Sequence, residues 1–273
     1  MAEDHPVNEL LMKELLKKLG CATTVARNGL EAVAAWKKGG IDLILMDVQM
    51  PELDGLDATQ EIRALETQGF KPPGASTAHI PIIAVTANAM TGDREKCLAA
   101  GMDAYTSKPV STQALTEAMS QAIDTSENWQ PALAMPRLDE ASERPRSRAT
   151  HPAATGPSQL SLPPPIQLDK LRHRLEGDEA ALVRIASATR SQLAQYIRAL
   201  QTAWVQQDRV MATTSAHSLK TSLATITADR ASALSNGLEK AAQKGEWALF
   251  GRALAVLKAE VDRLDRTLAD LTD

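Results

Sequence analysis

The chain has 273 residues, of which 44% are hydrophobic and 23% are charged, and its formal net charge is −4. This length allows about two ordinary domains, and the near-neutral charge disfavours a nucleic-acid-binding protein. The apolar runs are far shorter than the ~20 residues that cross a bilayer, and no secretory signal is recognisable at the start. Two isolated cysteines, Cys21 and Cys97, favour a reducing, cytoplasmic setting.

The first 123 residues alternate short β-rich runs with segments of helical spacing. The predicted strands span residues 22–26, 41–47, 81–86 and 104–107. The predicted helices span residues 7–19, 29–38, 56–66, 89–100 and 112–123. Alternation at this density predicts an α/β fold with a doubly wound parallel sheet, in which binding sites lie at the carboxyl ends of the strands.

The remainder of the chain divides at a proline-rich segment. Residues 124–165 hold eight of the 14 prolines and are predicted to form a flexible linker. Residues 166–273 contain no proline and predict an all-α antiparallel bundle with helices at 168–175, 178–207, 209–226, 228–243 and 246–271. The predicted domains are therefore 1–123 and 166–273, and the second is too close to neutral to favour DNA binding.

A set of polar residues is expected to converge at the carboxyl ends of the strands: Glu3, Asp4, Asp47, Thr86 and Lys108. Three adjacent carboxylates repel one another, and a hard cation such as Mg²⁺ relieves that repulsion by accepting oxygen ligands. The lysine could balance the charge of an incoming phosphoryl group, and the threonine hydroxyl could donate a hydrogen bond to it. One carboxylate could then act as the nucleophile and form an acyl phosphate.

The same residues carry a resemblance to a known family. Nearly all of residues 3–123 resembles the receiver domain of two-component response regulators, especially those of hybrid sensor kinases, through residues 3–8, 42–51, 54–55, 81–90 and 107–109. The resemblance implies a flavodoxin-like fold and identifies Asp47 as the phosphoacceptor. It also implies that Mg²⁺ is held by Glu3, Asp4, Asp47 and the backbone carbonyl of Gln49.

Three further roles follow from that resemblance. Thr86 and Tyr105 would form the switch pair that reports phosphorylation, and Lys108 would bind the phosphoryl group. The Lys108–Pro109 peptide is expected to be cis, which is otherwise uncommon. His5 is expected at the start of a helix or on the surface, and His79 in a loop.

In the helical region, His217 lies in the middle of a predicted helix with Lys220 three residues later on the same face. A neutral imidazole can accept a phosphoryl group near pH 7, and an adjacent ammonium would attract that group. Alone, this pattern is more often a solvated helix face than a site.

Residues 167–272 resemble histidine phosphotransfer (HPt) domains through residues 216–220, Ser222 and residues 238–242. By this resemblance, His217 is a second phosphoacceptor and Lys220 assists it. The order receiver, linker and HPt is that of the carboxyl end of a tripartite hybrid sensor histidine kinase. Thr221 and Thr227 occupy positions where this family usually has glycine. We therefore expect Thr221 to slow transfer through His217 or to restrict its partners.

The first strand of the receiver fold is apparently missing, because only Met1 and Ala2 precede the acidic pair. An interior strand that is lost would leave backbone groups unpaired and apolar surface open. The sequence is then expected to be a fragment, to have a late start, or to carry a first domain that does not function as written. An extended form would be more stable and bind Mg²⁺ better.

The leading hypothesis is a phosphorelay intermediate, in which Asp47 takes a phosphoryl group from an upstream sensor histidine kinase domain. His217 then passes the group to the aspartate of a downstream response-regulator receiver. A self-sufficient kinase is not supported, since no Gly-rich nucleotide-binding segment is present, although the parent protein could be one. The alternative is a fragment or degenerate interaction module of a hybrid kinase with impaired phosphotransfer. Neither nucleic-acid nor membrane contact is expected from the chain itself.

Overall fold

The computed structural model describes residues 1–75, 77–86, 91–127 and 163–272. Within these ranges, the N-terminal region contains α1 (Pro6–Lys18), α2 (Gly29–Lys38), β1 (Ile44–Asp47), α3 (Gly55–Thr67), β2 (Ile82–Thr86), α4 (Thr91–Ala99), β3 (Ala104–Ser107) and α5 (Thr112–Glu127). The C-terminal region contains α6 (Leu168–Arg174), α7 (Glu179–Gln206), α8 (Arg209–Thr225), α9 (Asp229–Lys244) and α10 (Trp247–Thr272). The prediction of an α/β region followed by a helical region is confirmed.

The sheet is parallel, with strand order β1-β2-β3 among the described residues. Its register pairs Asp47 with Val85 and Thr86 with Ser107, so the functional side chains at the ends of the strands share one edge. The strand predicted at 41–47 begins only at Ile44, whereas β3 has the predicted bounds. All residues of β1 and β2 are buried, as expected for strands covered on both faces.

The prediction of a strand at residues 22–26 is wrong. In this segment only Ala26 makes a β-bridge, and its partner is Ala2, which also bridges to Met46. The Ala2 amide donates to the Leu45 carbonyl at 2.7 Å, and the Asp47 amide donates to the Ala2 carbonyl at 3.0 Å. Ala2 thus lies between the 22–26 segment and β1, where its backbone makes hydrogen bonds to the edge of β1 that is not paired with β2. This contact is too short to form a ladder on either side.

Helices cover both faces of the sheet because alternate strand residues point in opposite directions. Leu45, Ile83 and Val85 belong to one apolar cluster with buried side chains of α1 and α5. Met46, Ile82 and Ala84 belong to the other, with residues of α2 and α3. The side chains of Asn28 and Asp54 accept hydrogen bonds from the first turns of α2 and α3, which fixes where these helices begin.

Gly55 lets α3 start directly beneath the phosphoacceptor candidate. A Cβ atom at this position would lie 2.1 Å from the Asp47 carbonyl oxygen and 2.9 Å from Cγ of Met46. Any side chain would therefore push β1 and α3 apart. Asp54 therefore caps α3, and Gly55 allows the first turn of that helix to lie close to the backbone of β1.

A buried group of charges, here called the basal cluster, lies at the amino ends of β2 and β3 and consists of Arg63, Glu66, His79 and Asp103. The His79 imidazole lies 2.7 Å from Asp103 Oδ1 and 3.3 Å from Glu66 Oε2, and Arg63 bridges the same two carboxylates. Asp103 also accepts a hydrogen bond from the Ile82 amide at 2.7 Å. His79 is in a loop, as predicted, but it is buried and holds that loop against the sheet.

In the C-terminal region, α7, α8, α9 and α10 form a four-helix bundle in which each helix packs against two others. The connections are two or three residues long, which makes sequential helices antiparallel. Asp178 and Asp208 cap α7 and α8. None of the described helices is long and apolar enough to cross a membrane. Most of the predicted linker, residues 128–162, lies outside the described residues, and α5 extends past position 123.

The two regions share one apolar core. Helix α1 packs against both α7 and α8. Leu11 and Leu15 of α1 lie in the same buried cluster as Leu182 of α7 and Leu219 of α8. The bundle is therefore docked on the α1 side of the α/β region.

Candidate functional site

The predicted acidic pocket forms at the carboxyl edge of the sheet. Glu3, Asp4 and Asp47 each place a carboxylate oxygen within 4.8 Å of the other two. Lys108 reaches into the same pocket, with its Nζ atom 2.6 Å from Asp47 Oδ2 and 2.7 Å from Glu3 Oε2. Asp47 is supplied by the end of β1, Lys108 by the residue after β3, and the acidic pair by the segment that bridges to β1.

The electrostatics of the pocket reflect buried carboxylates crowded around one ammonium group. Burial raises the pKa of the Asp47 carboxyl above its ordinary value; the Lys108 ammonium opposes this shift, and the Glu3 charge adds to it. Burial and the Asp47 charge raise the pKa of Asp4 to about 6. Burial alone would lower the pKa of Lys108, but the Asp47 and Glu3 carboxylates outweigh it and hold that pKa above its usual range.

The donor set fits a hard divalent cation. All the converging ligand atoms are carboxylate oxygens, which Mg²⁺ and Ca²⁺ prefer. One buried oxygen, Oδ1 of Asp4, has no hydrogen-bond partner among the described residues, although buried polar atoms are ordinarily satisfied. Gln49, whose carbonyl is the fourth expected ligand, lies two residues beyond β1, and its amide donates to Asp47 Oδ1 at 3.2 Å.

Thr86 and Tyr105, the expected switch pair, lie on adjacent strands. The sheet register pairs Ala84 with Tyr105 and Thr86 with Ser107, so the two side chains project from the same face. Thr86 is buried, and its carbonyl accepts a 2.7 Å hydrogen bond from the Lys108 amide. The guanidinium of Arg94 lies 5.2 Å from the centre of the Tyr105 ring, a cation–π distance. The Lys108–Pro109 peptide is cis, as expected.

The second predicted site centres on His217 in α8, where the structure adds a residue that the sequence had not assigned. Glu239 of α9 accepts from both predicted residues: its Oε1 lies 2.9 Å from His217 Nδ1, and its Oε2 lies 2.6 Å from Lys220 Nζ. Burial alone would raise the pKa of Glu239, but the hydrogen bonds from His217 and Lys220 lower it. Residues 238–242, which carry part of the resemblance to HPt domains, include Glu239. That resemblance alone does not show that Glu239 contacts His217 and Lys220.

Thr221 does not project freely toward an approaching partner. It is buried, and its hydroxyl donates to the His217 carbonyl at 3.0 Å, one turn back along α8. Thr227 adopts a left-handed backbone conformation with φ of 62°, which is unusual for a β-branched residue. The family's usual glycine would fit this second position without strain.

The docking of the two regions brings the two sites toward each other. Helix α8, which carries His217, packs against α1, and Thr225 of α8 donates a hydrogen bond to Asn8, which donates to Glu3 of the acidic pocket. His5, the N-cap residue of α1, is buried rather than on the surface, and its Nδ1 atom lies 3.0 Å from the Tyr196 hydroxyl of α7. Burial, together with the charge of Lys108, lowers the pKa of His5 to about 3. The helix that carries His217 thus packs directly beside the acidic pocket.

Comparison with known families agrees with this arrangement. Residues 1–120 match the family model described as the response regulator receiver domain, so the N-terminal region is a receiver. Residues 184–267 match the family model described as the Hpt domain. The chain therefore carries a receiver domain followed by an Hpt domain, an order also found in hybrid histidine kinases.

Curated relatives match less than half of the chain. A probable histidine kinase 1 of Oryza sativa subsp. indica is 40% identical over 145 residues, covering 45% of this chain and 15% of the relative. Hybrid signal transduction histidine kinase B of Dictyostelium discoideum is 46% identical over 114 residues, which cover 41% of this chain and 6% of the relative. The sensor protein GacS of Pseudomonas syringae pv. syringae is 39% identical over 115 residues, which cover 42% of this chain and 12% of the relative. The chain therefore spans only a small part of the length of these relatives.

Solved structures are similar to parts of the chain. One is a co-crystal structure of the Saccharomyces cerevisiae phosphotransfer protein Ypd1 with the receiver domain of Ssk1 (TM-score 0.40, 33% identity), covering 46% of this chain and 88% of that one. Another is the receiver domain of the sensor histidine kinase PA1611 from Pseudomonas aeruginosa PAO1 with magnesium coordinated in its cleft (TM-score 0.38, 40% identity). It covers 45% of this chain and 93% of that one.

Proposed function

We propose that the chain is a cytoplasmic, Mg²⁺-dependent relay in which a phosphoryl group moves from Asp47 to His217 within one molecule. The phosphoryl donor would be an upstream sensor histidine kinase domain, and the acceptor a downstream response-regulator receiver. Residues 1–123 would form the receiver, 124–165 the linker and 166–273 the phosphotransfer domain. The observation that supports this function best is that α8, which carries His217, packs against α1 beside the acidic pocket, where Thr225 donates to Asn8 and Asn8 donates to Glu3.

In the first step, a carboxylate oxygen of Asp47 attacks the phosphorus of a phosphohistidine. The new O–P bond forms as the N–P bond breaks, and the electron pair of that bond returns to the departing imidazole. Lys108, already 2.6 Å from Asp47, is placed to pair with the phosphoryl oxygens. Glu3, Asp4 and Asp47, with the Gln49 carbonyl, would hold Mg²⁺, which supplies neutralising charge to the transferring group.

In the second step, a ring nitrogen of His217 attacks the same phosphorus, and the bond to Asp47 breaks to restore its carboxylate. Glu239 accepts a hydrogen bond at Nδ1 and so favours the tautomer with a proton there. The other ring nitrogen, Nε2, then carries the free electron pair and is the nucleophile. Lys220 is fixed by the same carboxylate and would attract the phosphoryl oxygens. Thr86 and Tyr105 would report the state of Asp47 to the rest of the receiver.

The proposal is tested by supplying the chain with a hybrid kinase core and radiolabelled ATP in Mg²⁺, as wild type and as Asp47→Ala and His217→Ala variants. Label should pass through Asp47 to His217 in the wild type and stop at Asp47 in His217→Ala. It should be absent from Asp47→Ala. Acid-labile phosphohistidine and base-labile acyl phosphate are distinguished by their stability. Equal labelling of all three chains, or no labelling of the wild type, would instead favour the degenerate interaction module.

A further inference from the structure

The face of the receiver that carries α1 is covered by the chain's own phosphotransfer domain. The centre of the contact is apolar, as the shared core of α1, α7 and α8 shows. A small cavity beside the acidic pocket is bounded by Glu3, Asn8 and Lys108 from the receiver and by Thr225 from α8. An outside histidine that approaches Asp47 along this face must therefore displace the docked bundle.

Polar contacts surround this apolar centre and join side chains that are far apart in sequence. Thr225 Oγ1 donates to Asn8 Oδ1 at 2.5 Å, while Asn8 Nδ2 donates to Glu3 of the acidic pocket at 3.0 Å. A second contact between the two regions is an ion pair in which Arg184 of α7 lies 2.8 Å from Glu14 of α1.

The ion pair has the properties of a selecting contact. In the docked chain the side chain of Glu14 is 11% exposed and that of Arg184 is 46% exposed, so a partner that lacks a matching cation would leave a largely buried carboxylate without its ion pair. Such an unpaired charge is far more costly than an ordinary lost surface contact. A partner with an acidic residue at this place would add direct repulsion, and repulsive elements of this kind commonly set specificity.

We infer that the Glu14–Arg184 pair makes this chain's own phosphotransfer domain the preferred partner of its receiver, so that an outside histidine donor reaches Asp47 only after the bundle undocks. This inference rests on the proposed function. The docked state then performs transfer within the chain, and exchange with other proteins requires undocking. Glu14 and Arg184 contact neither phosphoacceptor residue, so they act on the choice of partner and not on the chemical step.

The test measures transfer between two copies of the full chain. The donor copy carries Asp47→Ala and is phosphorylated on His217 with phosphoramidate, and the acceptor copy carries His217→Ala. Glu14→Arg is then added to the acceptor and Arg184→Glu to the donor. Each copy now has a like-charge mismatch within itself, whereas the two copies are complementary to each other. Transfer between them should be about tenfold faster than between the unswapped copies, or more.

Two controls make the result specific. When both copies carry Glu14→Arg together with Arg184→Glu, the pair is restored within each chain, and transfer should return to the slow rate. Arg190→Glu in the donor changes the same charge on the same helix, but Arg190 pairs with Asp265 inside the bundle, so the rate should stay slow.

The inference and the proposed function fail in different ways. If acetyl phosphate does not label Asp47, or phosphoramidate does not label His217, the proposed function is wrong. If both labels form but the swapped copies transfer no faster than the unswapped ones, the selecting role of Glu14–Arg184 is refuted. Labelling of Glu14→Arg by acetyl phosphate at the normal rate shows that this receiver is folded.

Discussion

Glu239 offers the sharpest test of how the phosphotransfer site works, because one carboxylate holds both the acceptor imidazole and the neighbouring ammonium group. Its two oxygens lie 2.9 Å from His217 Nδ1 and 2.6 Å from Lys220 Nζ. Glu239→Ala removes both contacts and leaves the imidazole free to rotate and to exchange tautomers. A hydrogen bond to a charged group contributes about 1.5–3 kcal/mol. If one such contact is lost at the transition state, the rate should fall about ten- to hundredfold.

The assay is the rate at which phosphoramidate labels His217, since this small donor needs neither Asp47 nor docking with a partner. Glu239→Gln should recover part of the rate, because an amide oxygen can still accept from the imidazole but has lost its charge. The matched control is Asp265→Ala, which removes a carboxylate from the same bundle far from His217 and should leave labelling unchanged.

A positioning role for Glu239 also predicts a change in the product. In the wild type, label should reside on Nε2, whereas the Ala variant should give a mixture of the two phosphohistidine isomers, which NMR distinguishes. If Glu239→Ala labels at the wild-type rate and on the same nitrogen, the reasoning is refuted, and the carboxylate is only a structural link between α8 and α9. Thermal unfolding of each variant separates a loss of folding from a loss of orientation.

Three further predictions concern the fold. The carboxylates of the basal cluster outweigh burial and raise the pKa of His79, so its contribution to stability is fully present below its unfolded pKa and is lost as pH rises through the folded one. The stability difference between wild type and His79→Gln in urea unfolding should therefore shrink as the pH rises above about 6.5, the ordinary pKa of histidine; a constant difference would contradict this. The backbone of Thr227 is in the left-handed conformation, so the Thr227→Gly variant should be more stable than the Thr227→Ala variant by about 1 kcal/mol in the same assay. Inside a helix, alanine would instead be the more stable of the two. Gly55→Ala, which places Cβ 2.1 Å from the Asp47 carbonyl oxygen, should cost about 1–3 kcal/mol and slow Asp47 labelling by acetyl phosphate. Gly237→Ala has open space and should stabilise α9 by about 0.5–1 kcal/mol, and equal effects at the two glycines would contradict the steric argument.

The sequence alone predicted the sheet and the acidic pocket because both depend on local patterns. Strand β1 is a continuous apolar run that ends in Asp47, and parallel strands bring their carboxyl ends to one edge. Lys108 and the acidic pair therefore converge wherever such a sheet forms. The expected strand at 22–26 did not form because a strand exists only through its ladder, and among the described residues this segment has only the single bridge between Ala26 and Ala2.

The contacts that join the domains could not be predicted in the same way. Asn8 and Thr225 are separated by 217 positions, and Glu14 and Arg184 by 170. No periodicity or motif relates residues so distant. Each of these four residues is also of a type that is common on the surface of a helix. His5 illustrates the same limit, since its position at the start of α1 was predictable but its burial beneath Tyr196 depends on the docked bundle.

The shared core explains why a relay of this kind needs polar selection at all. An apolar contact between α1 and the bundle is non-directional, so any helical protein with a similar apolar stripe could compete for the same face. The buried Glu14 carboxylate changes that, because it makes every partner without a matching cation unfavourable. Affinity can then come from the common apolar centre, while the order of transfer is set by a few charged and hydrogen-bonding side chains. By this reasoning, substitutions at the apolar centre should weaken transfer to all partners alike, whereas substitutions at Glu14 should redistribute it among them.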